Sequence, residues 1–472
     1  MNNYKIYCAG KFIETSEYLD VNNPYTQKVE ALTFLAGQNE LEYAIDAALA
    51  VEKNMKELPV YKRYQILKYV ALKIEEQADE FSRILALEAG KPLRFAKAEI
   101  SRAIQTFIVA AEECKRLPGE LLSIDWTPDA KNKEGIVKYF PIGLVAGISP
   151  FNFPLNLVAH KVAPAIAAGC PIIMKPASNT PLSTLLLAKI VDATDLPKGA
   201  FSVLPMNRET GNNLVIDERF KLLTFTGSPD VGWTMKNNAG KKKVVLELGG
   251  NAGVIISETA DIKTAAQRCV VGGFSYSGQV CIHAQRIFVH EKIYNNFIDE
   301  FLPMVKTLRI GDTADINTDF SVMIDEKNAL RVESWINEAI EGGAHLLYGG
   351  KRIKNLVEPT VLVNTDKEMK VNCKEIFGPV VTITSFSTFE EAVEMLNYGK
   401  YGLQAGVFTN AINEMNYAFE QINVGGVILN DIPTFRVDHM PYGGIKDSGL
   451  GREGVKYAIQ DMMEAKILVK NF

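Results

Sequence analysis

The chain has 472 residues and a formal net charge of −5, with 47% hydrophobic and 23% charged side chains. This length exceeds one ordinary hydrophobic core, so two or more globular domains are expected. The negative charge argues against a nucleic-acid partner, because phosphate backbones bind basic faces. The six cysteines are scattered without a CxxC pair. That pattern fits neither a disulfide framework nor a zinc cluster, so free thiols in a reducing compartment and no metal site are expected.

Two segments predict the location of the protein. The first residues are not followed by the apolar run of a secretory signal. The most membrane-like stretch, 143–159, is interrupted by Pro150, Asn152 and Pro154. It is therefore expected to be a buried strand and loop rather than a membrane span. The sequence predicts a cytoplasmic protein without a membrane partner.

The predicted elements change in kind along the chain. Helical spacing of apolar residues predicts helices at 41–56, at 61–89 with Gly90 as its end, and at 94–115. A strand-like run follows at 136–148, and strand and helix patterns then alternate. Strands are predicted at 171–175, 201–205, 221–226, 252–257, 285–290 and 379–386, with helices at 181–193, 229–239, 261–277 and 291–306. Such alternation implies parallel strands with crossover helices, so the predicted fold class is α/β, with two doubly wound parallel-sheet domains that meet near Glu247.

A possible reactive pair stands out in the second half. Cys281 follows the turn Ser277-Gly278-Gln279, and Glu247-Leu248-Gly249-Gly250-Asn251 lies upstream. A thiol after a flexible turn and a carboxylate beside paired glycines predict a covalent nucleophile with its own base. Taken singly, the cysteine is typical of buried packing and the glutamate of a strand end before a turn.

Other segments occur in order around this pair: Ser149-Pro150-Phe151-Asn152-Phe153-Pro154, Met174-Lys175-Pro176-Ala177-Ser178, Phe225-Thr226-Gly227-Ser228, Glu375-Ile376-Phe377-Gly378-Pro379 and Pro441-Tyr442-Gly443-Gly444. Together with the Glu247 and Cys281 segments, they resemble the aldehyde dehydrogenase superfamily over nearly the whole chain. The resemblance implies a nicotinamide-cofactor-binding domain at 1–116 and 141–246 and a catalytic domain at 247–454. It also implies a small β arm at 117–140 and 455–472, through which a homodimer or homotetramer forms.

The resemblance further implies NAD or NADP as the cofactor. The residues it assigns to cofactor binding are Lys175 and Ser178 at the adenosine ribose, Gly227 and Ser228 at the pyrophosphate, Leu248 beside them, and Glu375 and Phe377 at the nicotinamide riboside. Gly227 and Ser228 also follow an apolar strand and open a helix, which is the right context for binding a pyrophosphate. Ser178 stands where the family often has a glutamate. Losing that carboxylate removes repulsion against a 2′-phosphate, so NADP is expected to be tolerated.

The implied reaction is the oxidation of an aldehyde to an acid. An aldehyde carbon has no lone pair to expel hydride, but addition of a thiolate gives a thiohemiacetal whose oxyanion does so, leaving a thioester for hydrolysis. In this scheme Cys281 is the nucleophile and Glu247 is the base for the deacylating water. Asn152 and the backbone N–H of Cys281 bind the oxyanion. Family members that transfer the acyl group to coenzyme A tend to lack this carboxylate, so Glu247 favours a free acid as product.

The sequence predicts a class of substrate rather than a single aldehyde. Arg102 and Arg436 match positions where non-phosphorylating glyceraldehyde-3-phosphate dehydrogenases place arginines around a phosphate, and Val280 stands in place of a third. Two guanidiniums can hold a carboxylate or a hydroxyl-rich tail, although Arg102 alone fits a solvated helix face equally well. His283 is expected either to reach a substrate hydroxyl or to form the pocket wall. The segments around Cys281 and at 436–444, with Asn251, resemble the branch of the superfamily that contains lactaldehyde dehydrogenases. Lactaldehyde therefore ranks first, followed by glyceraldehyde 3-phosphate and succinate semialdehyde.

Two other functions stay open at this point. The first is a Cys–His hydrolase that pairs Cys281 with His160 or His283; it would leave the Lys175, Gly227 and Glu375 segments without a purpose. The second is a non-catalytic protein that has kept the fold, since a fold alone does not imply a reaction. Intact Cys281 and Glu247 argue against it.

Overall fold

The computed structural model describes residues 2–472. Its helices are α1 Gln38–Ala50, α2 Glu52–Glu57, α3 Val60–Glu76, α4 Ala78–Ala89, α5 Leu93–Glu113, α6 Asn156–Ala168, α7 Leu182–Asp192, α8 Arg208–Ile216, α9 Pro229–Asn238, α10 Ile262–Phe274, α11 Tyr294–Lys306, α12 Glu326–Glu341, α13 Lys370–Cys373, α14 Phe389–Asn397, α15 Ile412–Gln421 and α16 Val455–Asp461. None of the helices in this range is long and apolar enough to cross a lipid bilayer.

The strands of the same residues are β1 Asn2–Asn3, β2 Ile6–Cys8, β3 Lys11–Ile13, β4 Tyr18–Asn22, β5 Val29–Phe34, β6 Gly119–Ser123, β7 Lys133–Pro141, β8 Val145–Ile148, β9 Ile172–Lys175, β10 Phe201–Val203, β11 Leu222–Thr226, β12 Lys243–Glu247, β13 Ala252–Ile256, β14 Ala284–His290, β15 His345–Tyr348, β16 Arg352–Ile353, β17 Leu356–Val357, β18 Thr360–Val363, β19 Val380–Phe386, β20 Tyr401–Gly402, β21 Gln404–Phe408, β22 Gly426–Leu429, β23 Ile445–Lys446, β24 Gly449–Leu450 and β25 Met463–Asn471.

The first large sheet has the strand order β24-β12-β11-β8-β9-β10-β2-β3. Its five middle strands are parallel, whereas the edge strands β24, β2 and β3 pair antiparallel. One face packs against α3 to α7 and α16, and the other against α1, α8 and α9. Helices on both faces bury β8 and β11 completely, which is why these strands are continuous apolar runs.

The second large sheet has the order β15-β18-β19-β14-β13-β21-β22, and all its pairs except β15–β18 are parallel. Helices α10 and α11 pack on one core, α14 and α15 on a second, and α12 with α13 on a third. The first sheet's β12 ends at Glu247 and the second sheet begins with β13 at Ala252, on either side of the predicted boundary.

A separate three-stranded sheet, β25-β7-β6, is antiparallel. Its strands lie within or next to the segments predicted to form the β arm. Apolar side chains of this sheet are exposed, including Leu121, Ile467, Leu468 and Val469. Helix α16, which precedes β25, packs instead into the core of the first large sheet through Val455 and Ile459.

The predicted α/β class and the predicted elements are confirmed, with four differences in their bounds. The helix predicted at 41–56 is two helices, α1 and α2, separated at Val51. The helix predicted at 61–89 is two helices, α3 and α4, separated at Gln77. The run at 136–148 is two strands of different sheets, β7 and β8, separated around Gly143, whose φ is 117°. The helix predicted at 261–277 ends at Phe274, because Tyr276 and Ser277 have positive φ.

Candidate active site

A cleft of about 480 Å³ lies between the two large sheets. The carboxyl ends of strands in the first sheet face the segments that lead into strands of the second, the usual place for a ligand in an open α/β sheet. Its lining residues are Pro150, Phe151, Asn152, Leu157, Thr226, Gly227, Ser228, Pro229, Asp230, Glu247, Leu248, Gly249, Cys281, Asn328, Arg331, Trp335, Lys374, Glu375, Phe377 and Tyr401. The three residues predicted to be catalytic, Asn152, Glu247 and Cys281, are therefore brought together.

The backbone around Cys281 is closely packed at two glycines, Gly278 and Gly250, and neither glycine position has room for a side chain. A Cβ at Gly278, whose φ is 68°, would lie 2.1 Å from the carbonyl oxygen of Gly378. A Cβ at Gly250 would lie 2.4 Å from the carbonyl oxygen of Cys281 itself. Cys281 is half-buried and lines the cleft, and its Sγ lies 3.1 Å from the hydroxyl oxygen of Tyr442. Burial raises the pKa of this thiol to about 11, and the hydrogen bond with Tyr442 opposes the rise.

Glu247 ends β12 with a side chain that is 4% exposed. Neither of its carboxylate oxygens has a hydrogen-bond partner among the described residues. Burial, and then repulsion by Glu453, raise the pKa of the Glu247 carboxyl well above its usual range. A carboxyl whose pKa is raised binds a proton more readily than an exposed glutamate does, as a general base requires.

Asn152 lies in the loop after β8, beside the turn that carries Cys281. Its Nδ2 donates to the carbonyl oxygen of Gln279 over 3.0 Å, which leaves the second N–H of the amide for another acceptor. Its Oδ1 is buried and has no hydrogen-bond partner among the described residues. The backbone N–H of Cys281 donates to no backbone carbonyl within residues 2–472.

Of the residues predicted to bind the cofactor, Gly227, Ser228, Leu248, Glu375 and Phe377 line the cleft. A Cβ at Gly249 would lie 2.1 Å from Oε2 of Glu375, and the Gly250 N–H donates to Oε1 of Glu375 over 3.0 Å. Burial raises the pKa of the Glu375 carboxyl to about 7.

Lys175 and Ser178 lie outside this lining, at the carboxyl end of β9. The stem of Lys175 passes over Gly211, where a Cβ would be 2.7 Å from its Cε. The ammonium group has no hydrogen-bond or ion-pair partner within residues 2–472, and burial lowers its pKa. Ser178 is exposed.

The arginines predicted to contact the substrate are held in ion pairs. Arg102 is half-buried and donates to Oδ1 of Asp438 over 2.7 Å. Arg436 is buried and donates to Oε2 of Glu453 over 2.8 Å. We call Arg102, Arg436, Asp438 and Glu453 the ion-pair cluster. Neither arginine is among the residues that line the cleft, and their contact with a substrate stays a prediction.

His283 also lies outside the cleft lining. Its ring is buried, with Nε2 2.8 Å from the carbonyl oxygen of Gly273, and burial lowers its pKa to about 4. His160 pairs instead with Asp438, with Nε2 2.7 Å from Oδ1. Among the contacts of the described residues, the thiol of Cys281 meets a tyrosine and not a histidine, which disfavours a Cys–His hydrolase.

Three residues of α12 that line the cleft were not predicted from the sequence. Asn328, Arg331 and Trp335 line the cleft, although no motif marks them. The guanidinium of Arg331 lies 4.8 Å from the Trp335 ring centroid and donates to the carbonyl oxygen of Ile376 over 2.8 Å. Their spacing of three and four residues puts them on one helix face, which is a weak signal that sequence alone could offer.

The model of the aldehyde dehydrogenase family matches residues 12–468. The chain belongs to this family. It is 41% identical to 3-sulfolactaldehyde dehydrogenase of Priestia aryabhattai over 469 residues, covering 99% of this chain and 98% of the relative. It is 40% identical to lactaldehyde dehydrogenase of Methanocaldococcus jannaschii over 470 residues, covering 98% and 99% of the two chains.

Solved structures of aldehyde dehydrogenases have the same fold as this chain. Aldehyde dehydrogenase 21 from Physcomitrella patens, in complex with the reaction product succinate, is 48% identical with a TM-score of 0.98, covering 100% of this chain and 98% of the other. The glyceraldehyde-3-phosphate dehydrogenase GapN from Methanocaldococcus jannaschii, complexed with NADP, is 39% identical with a TM-score of 0.93, covering 96% and 99%. The predicted family, fold and enzyme class, that of an aldehyde dehydrogenase, are confirmed.

Proposed function

We propose that this aldehyde dehydrogenase oxidises a small hydroxylated or anionic aldehyde to its carboxylic acid with NAD or NADP, through a thioester on Cys281. One observation carries the proposal. A partly exposed thiol and a buried carboxyl without hydrogen-bond partners line the same cleft. Outside an active site, a buried carboxyl of this kind is a large cost to stability, so its presence points to function.

In the first step the Cys281 thiolate adds to the aldehyde carbon. A carbon–sulfur bond forms, and the π electrons of the carbonyl move to its oxygen. The free N–H of the Asn152 amide and the N–H of Cys281 are the donors for this oxyanion. Fixed donors of this kind favour the charged state over the neutral aldehyde, because they need no reorganisation as the charge develops.

The residues around the cleft fit a nicotinamide dinucleotide. When bound, the cofactor supplies a hydride acceptor. Gly227 and Ser228 at the start of α9 would hold its pyrophosphate, and Leu248, Glu375 and Phe377 its nicotinamide end. The partnerless ammonium of Lys175 supports a ribose or phosphate site at the carboxyl end of β9. Both NAD and NADP are proposed, since Ser178 puts no carboxylate against a 2′-phosphate.

In the last step Glu247 takes a proton from water, and the hydroxide oxygen bonds to the thioester carbon. The carbon–sulfur bond then breaks, its electron pair returns to the sulfur of Cys281, and the acid leaves. The raised pKa of Glu247 supports this role, because a base is most effective when its pKa lies near the working pH.

For the substrate, we propose lactaldehyde-type aldehydes first, with or without an anionic group. The two curated relatives above are named for lactaldehyde and 3-sulfolactaldehyde, and the plant enzyme was solved with succinate. Arg102 and Arg436 provide positive charge for a sulfonate or carboxylate tail. Succinate semialdehyde therefore comes second. Glyceraldehyde 3-phosphate comes last, because Val280 stands in place of a third arginine. His283 is ranked last among the proposed substrate contacts, because it lies outside the cleft lining and its Nε2 meets the carbonyl oxygen of Gly273.

We also propose a cytoplasmic homodimer or homotetramer. The exposed apolar side chains of the β25-β7-β6 sheet support association through the arm, since contiguous exposed apolar patches mark contact surfaces. Light scattering after gel filtration tests the assembly, and a monomer would contradict it. Fractionation of the source cells tests the location.

Initial rates of reduced-cofactor formation test the proposed function. The panel holds lactaldehyde, 3-sulfolactaldehyde, succinate semialdehyde and glyceraldehyde 3-phosphate, with NAD and with NADP and without coenzyme A. We expect one aldehyde to dominate in kcat/KM and Cys281→Ala to abolish turnover. Cys373→Ala is the matched control, because Cys373 is the other partly exposed thiol and lies outside the cleft lining. No oxidation of any aldehyde would contradict the proposal.

A further inference from the structure

The tyrosine of the segment Pro441-Tyr442-Gly443-Gly444 has no role in the reaction as described so far. Its side chain is 2% exposed, and its hydroxyl oxygen lies 3.1 Å from Sγ of Cys281. It is the hydrogen-bond partner of the thiol among the described residues. A phenylalanine would fill the same space, so the hydroxyl needs an explanation of its own.

The positive charge of Arg436 lies over the ring of Tyr442 and polarises it. The guanidinium carbon of Arg436 lies over the Tyr442 ring, 3.8 Å from the ring centroid. Arg436 is fixed there by the carboxylate of Glu453 at 2.8 Å. A cation over the face of a phenol withdraws electron density from the ring, which makes its O–H a stronger donor.

We propose that Tyr442 is a further catalytic residue, whose hydroxyl donates a hydrogen bond to the Cys281 thiolate, and that Arg436 is the residue that positions and polarises it. This inference rests on the proposed role of Cys281 as the nucleophile. It assigns to Arg436 a function in activating the thiol, in place of a purely substrate-binding one.

The hydrogen bond acts at two points of the reaction. When the thiol loses its proton to a solvent water, the electron pair of the S–H bond stays on sulfur as negative charge, and the phenol O–H donates to that charge without its own proton being transferred. When the thioester is hydrolysed, the carbon–sulfur bond breaks and its electron pair returns to sulfur, where the same donor meets it. A hydrogen bond to a charged acceptor is about twice as strong as one to a neutral acceptor, so it favours both charged states over the thiol and the thioester.

The electrostatics agree with this direction. Burial raises the pKa of the Cys281 thiol, and the hydrogen bond from Tyr442, followed by the charge of Arg436, opposes the rise. Burial, and then the proximity of Cys281, raise the pKa of Tyr442 well above its usual range, so it remains a donor at neutral pH. Other charged or titratable groups near the pair are Glu247 and Glu375, which disfavour the thiolate, and Glu453, Lys161 and His160, which surround Arg436 and Glu247.

The position of Tyr442 does not depend on its hydroxyl. Its backbone pairs with that of Glu453 in both directions, with the Tyr442 N–H donating over 2.8 Å. Its ring stacks on Arg436. Tyr442→Phe therefore keeps the backbone pairing and the stack and removes one oxygen atom. This makes it a matched variant for the hydrogen bond alone.

The test is the rate of alkylation of Cys281 by iodoacetamide, followed by peptide mass spectrometry from about pH 6 to about pH 11 on the full chain without cofactor or substrate. Cys373 serves as the internal reference. In Tyr442→Phe we expect the rising limb of the rate within this range, which reports the midpoint, to move upward by about one to two pH units, so that alkylation at neutral pH falls roughly tenfold or more. Arg436→Lys keeps the charge but loses the planar stack, so we expect a smaller upward move.

A second measurement has the opposite sign. Replacing all tyrosines by 3-fluorotyrosine makes the phenol more acidic and a better donor, so the Cys281 midpoint is expected to fall, and to stay unchanged when Tyr442→Phe is labelled in the same way. A midpoint that does not move in Tyr442→Phe would overturn the proposal. If that variant does not fold, an unmoved midpoint in the fluorotyrosine protein would overturn it.

The alkylation measurement tests the hydrogen bond and the aldehyde assay tests the reaction, so a failure of one can be told from a failure of the other. A shifted midpoint in a protein that oxidises no aldehyde would leave the hydrogen bond supported and remove the reaction. Aldehyde oxidation by a protein whose midpoint is the same with and without the Tyr442 hydroxyl would leave the reaction and contradict the inference.

Discussion

The cleft and the ion-pair cluster behind it treat buried polar groups in opposite ways. In the cleft, both carboxylate oxygens of Glu247 and Oδ1 of Asn152 have no hydrogen-bond partner within residues 2–472. In the cluster, every charged group has at least one oppositely charged partner, such as Arg102 with Asp438 and Arg436 with Glu453. A buried charge without a partner costs several kcal/mol. In the cleft, where a substrate or a water is to be bound, a buried carboxyl is left without a partner, whereas in the cluster the charges are paired.

The largest expected effect is on the cleft side. Glu247→Gln keeps the shape of the side chain and removes the base, so kcat is expected to fall roughly 10²–10⁴-fold. The folded state is expected to be as stable or more stable, because an unpartnered buried carboxyl is replaced by a neutral group. Steady-state rates and urea unfolding measure the two effects. Glu80→Gln, at an exposed carboxylate of α4, is the control, and a near-normal kcat for Glu247→Gln would refute its role.

Asn152→Ala tests the oxyanion donor in the same cleft. We expect kcat/KM to fall by about 10²–10³-fold, mainly in kcat, because the donor acts on charge that develops after binding. Kinetics over a range of aldehyde concentrations separate the two constants. If KM rises while kcat stays the same, Asn152 binds the substrate and does not stabilise the oxyanion.

Asp438→Asn probes the other side of the comparison. Asp438 accepts from Arg102 and pairs with His160, each over 2.7 Å. Removing its charge leaves a guanidinium without its counter-ion, so the free energy of unfolding is expected to fall by about 3 kcal/mol. Urea unfolding measures this. A variant that keeps wild-type stability but loses turnover would show that the cluster belongs to the chemistry rather than to its support.

The pH dependence of kcat is expected to report the raised pKa of Glu247. The carboxyl must be ionised to act as a base, and burial moves its pKa upward, so activity is lost as pH falls through a value above the usual 4.5. Below that value kcat is expected to fall about tenfold per pH unit. Rates in buffers of constant ionic strength measure the limb. An acid limb centred near the ordinary glutamate value would contradict the proposed environment.

The smallest expected effect concerns cofactor choice at the exposed Ser178. Ser178→Glu places a carboxylate where a 2′-phosphate is proposed to lie, so kcat/KM with NADP is expected to fall roughly tenfold while that with NAD changes little. Ser178→Gln, of the same size without charge, is the control. Equal losses with both cofactors would mean that residue 178 lies away from the phosphate.

The sequence predicted those parts of the fold that local patterns encode. Strands such as β8 and β11 are buried on both faces and read as apolar runs, and Gly90 ends α4 with a φ of 60°, as a helix-ending glycine should. The break between α3 and α4 at Gln77 was missed, because neither Gly nor Pro marks it and the apolar spacing continues through it.

The candidate site was predictable where motifs mark it and not where distant segments meet. Asn152, Glu247 and Cys281 come together as the motifs implied. The pairing of Arg102 with Asp438 joins residues 336 positions apart, and the contact of Tyr442 with Cys281 joins residues 161 apart. Neither separation leaves a periodic signal in the chain. Only the three-dimensional arrangement reveals that Arg436 stacks on the tyrosine that contacts the thiol.

The most direct test of the account is to trap the covalent intermediate. Glu247→Gln would be mixed with the preferred aldehyde and NAD or NADP, quenched in acid, and its peptides analysed by mass spectrometry. The proposed mechanism predicts one acyl group per chain, attached to Cys281, together with one equivalent of reduced cofactor. A full equivalent of reduced cofactor with unmodified Cys281, or an acyl group on another residue, would contradict it.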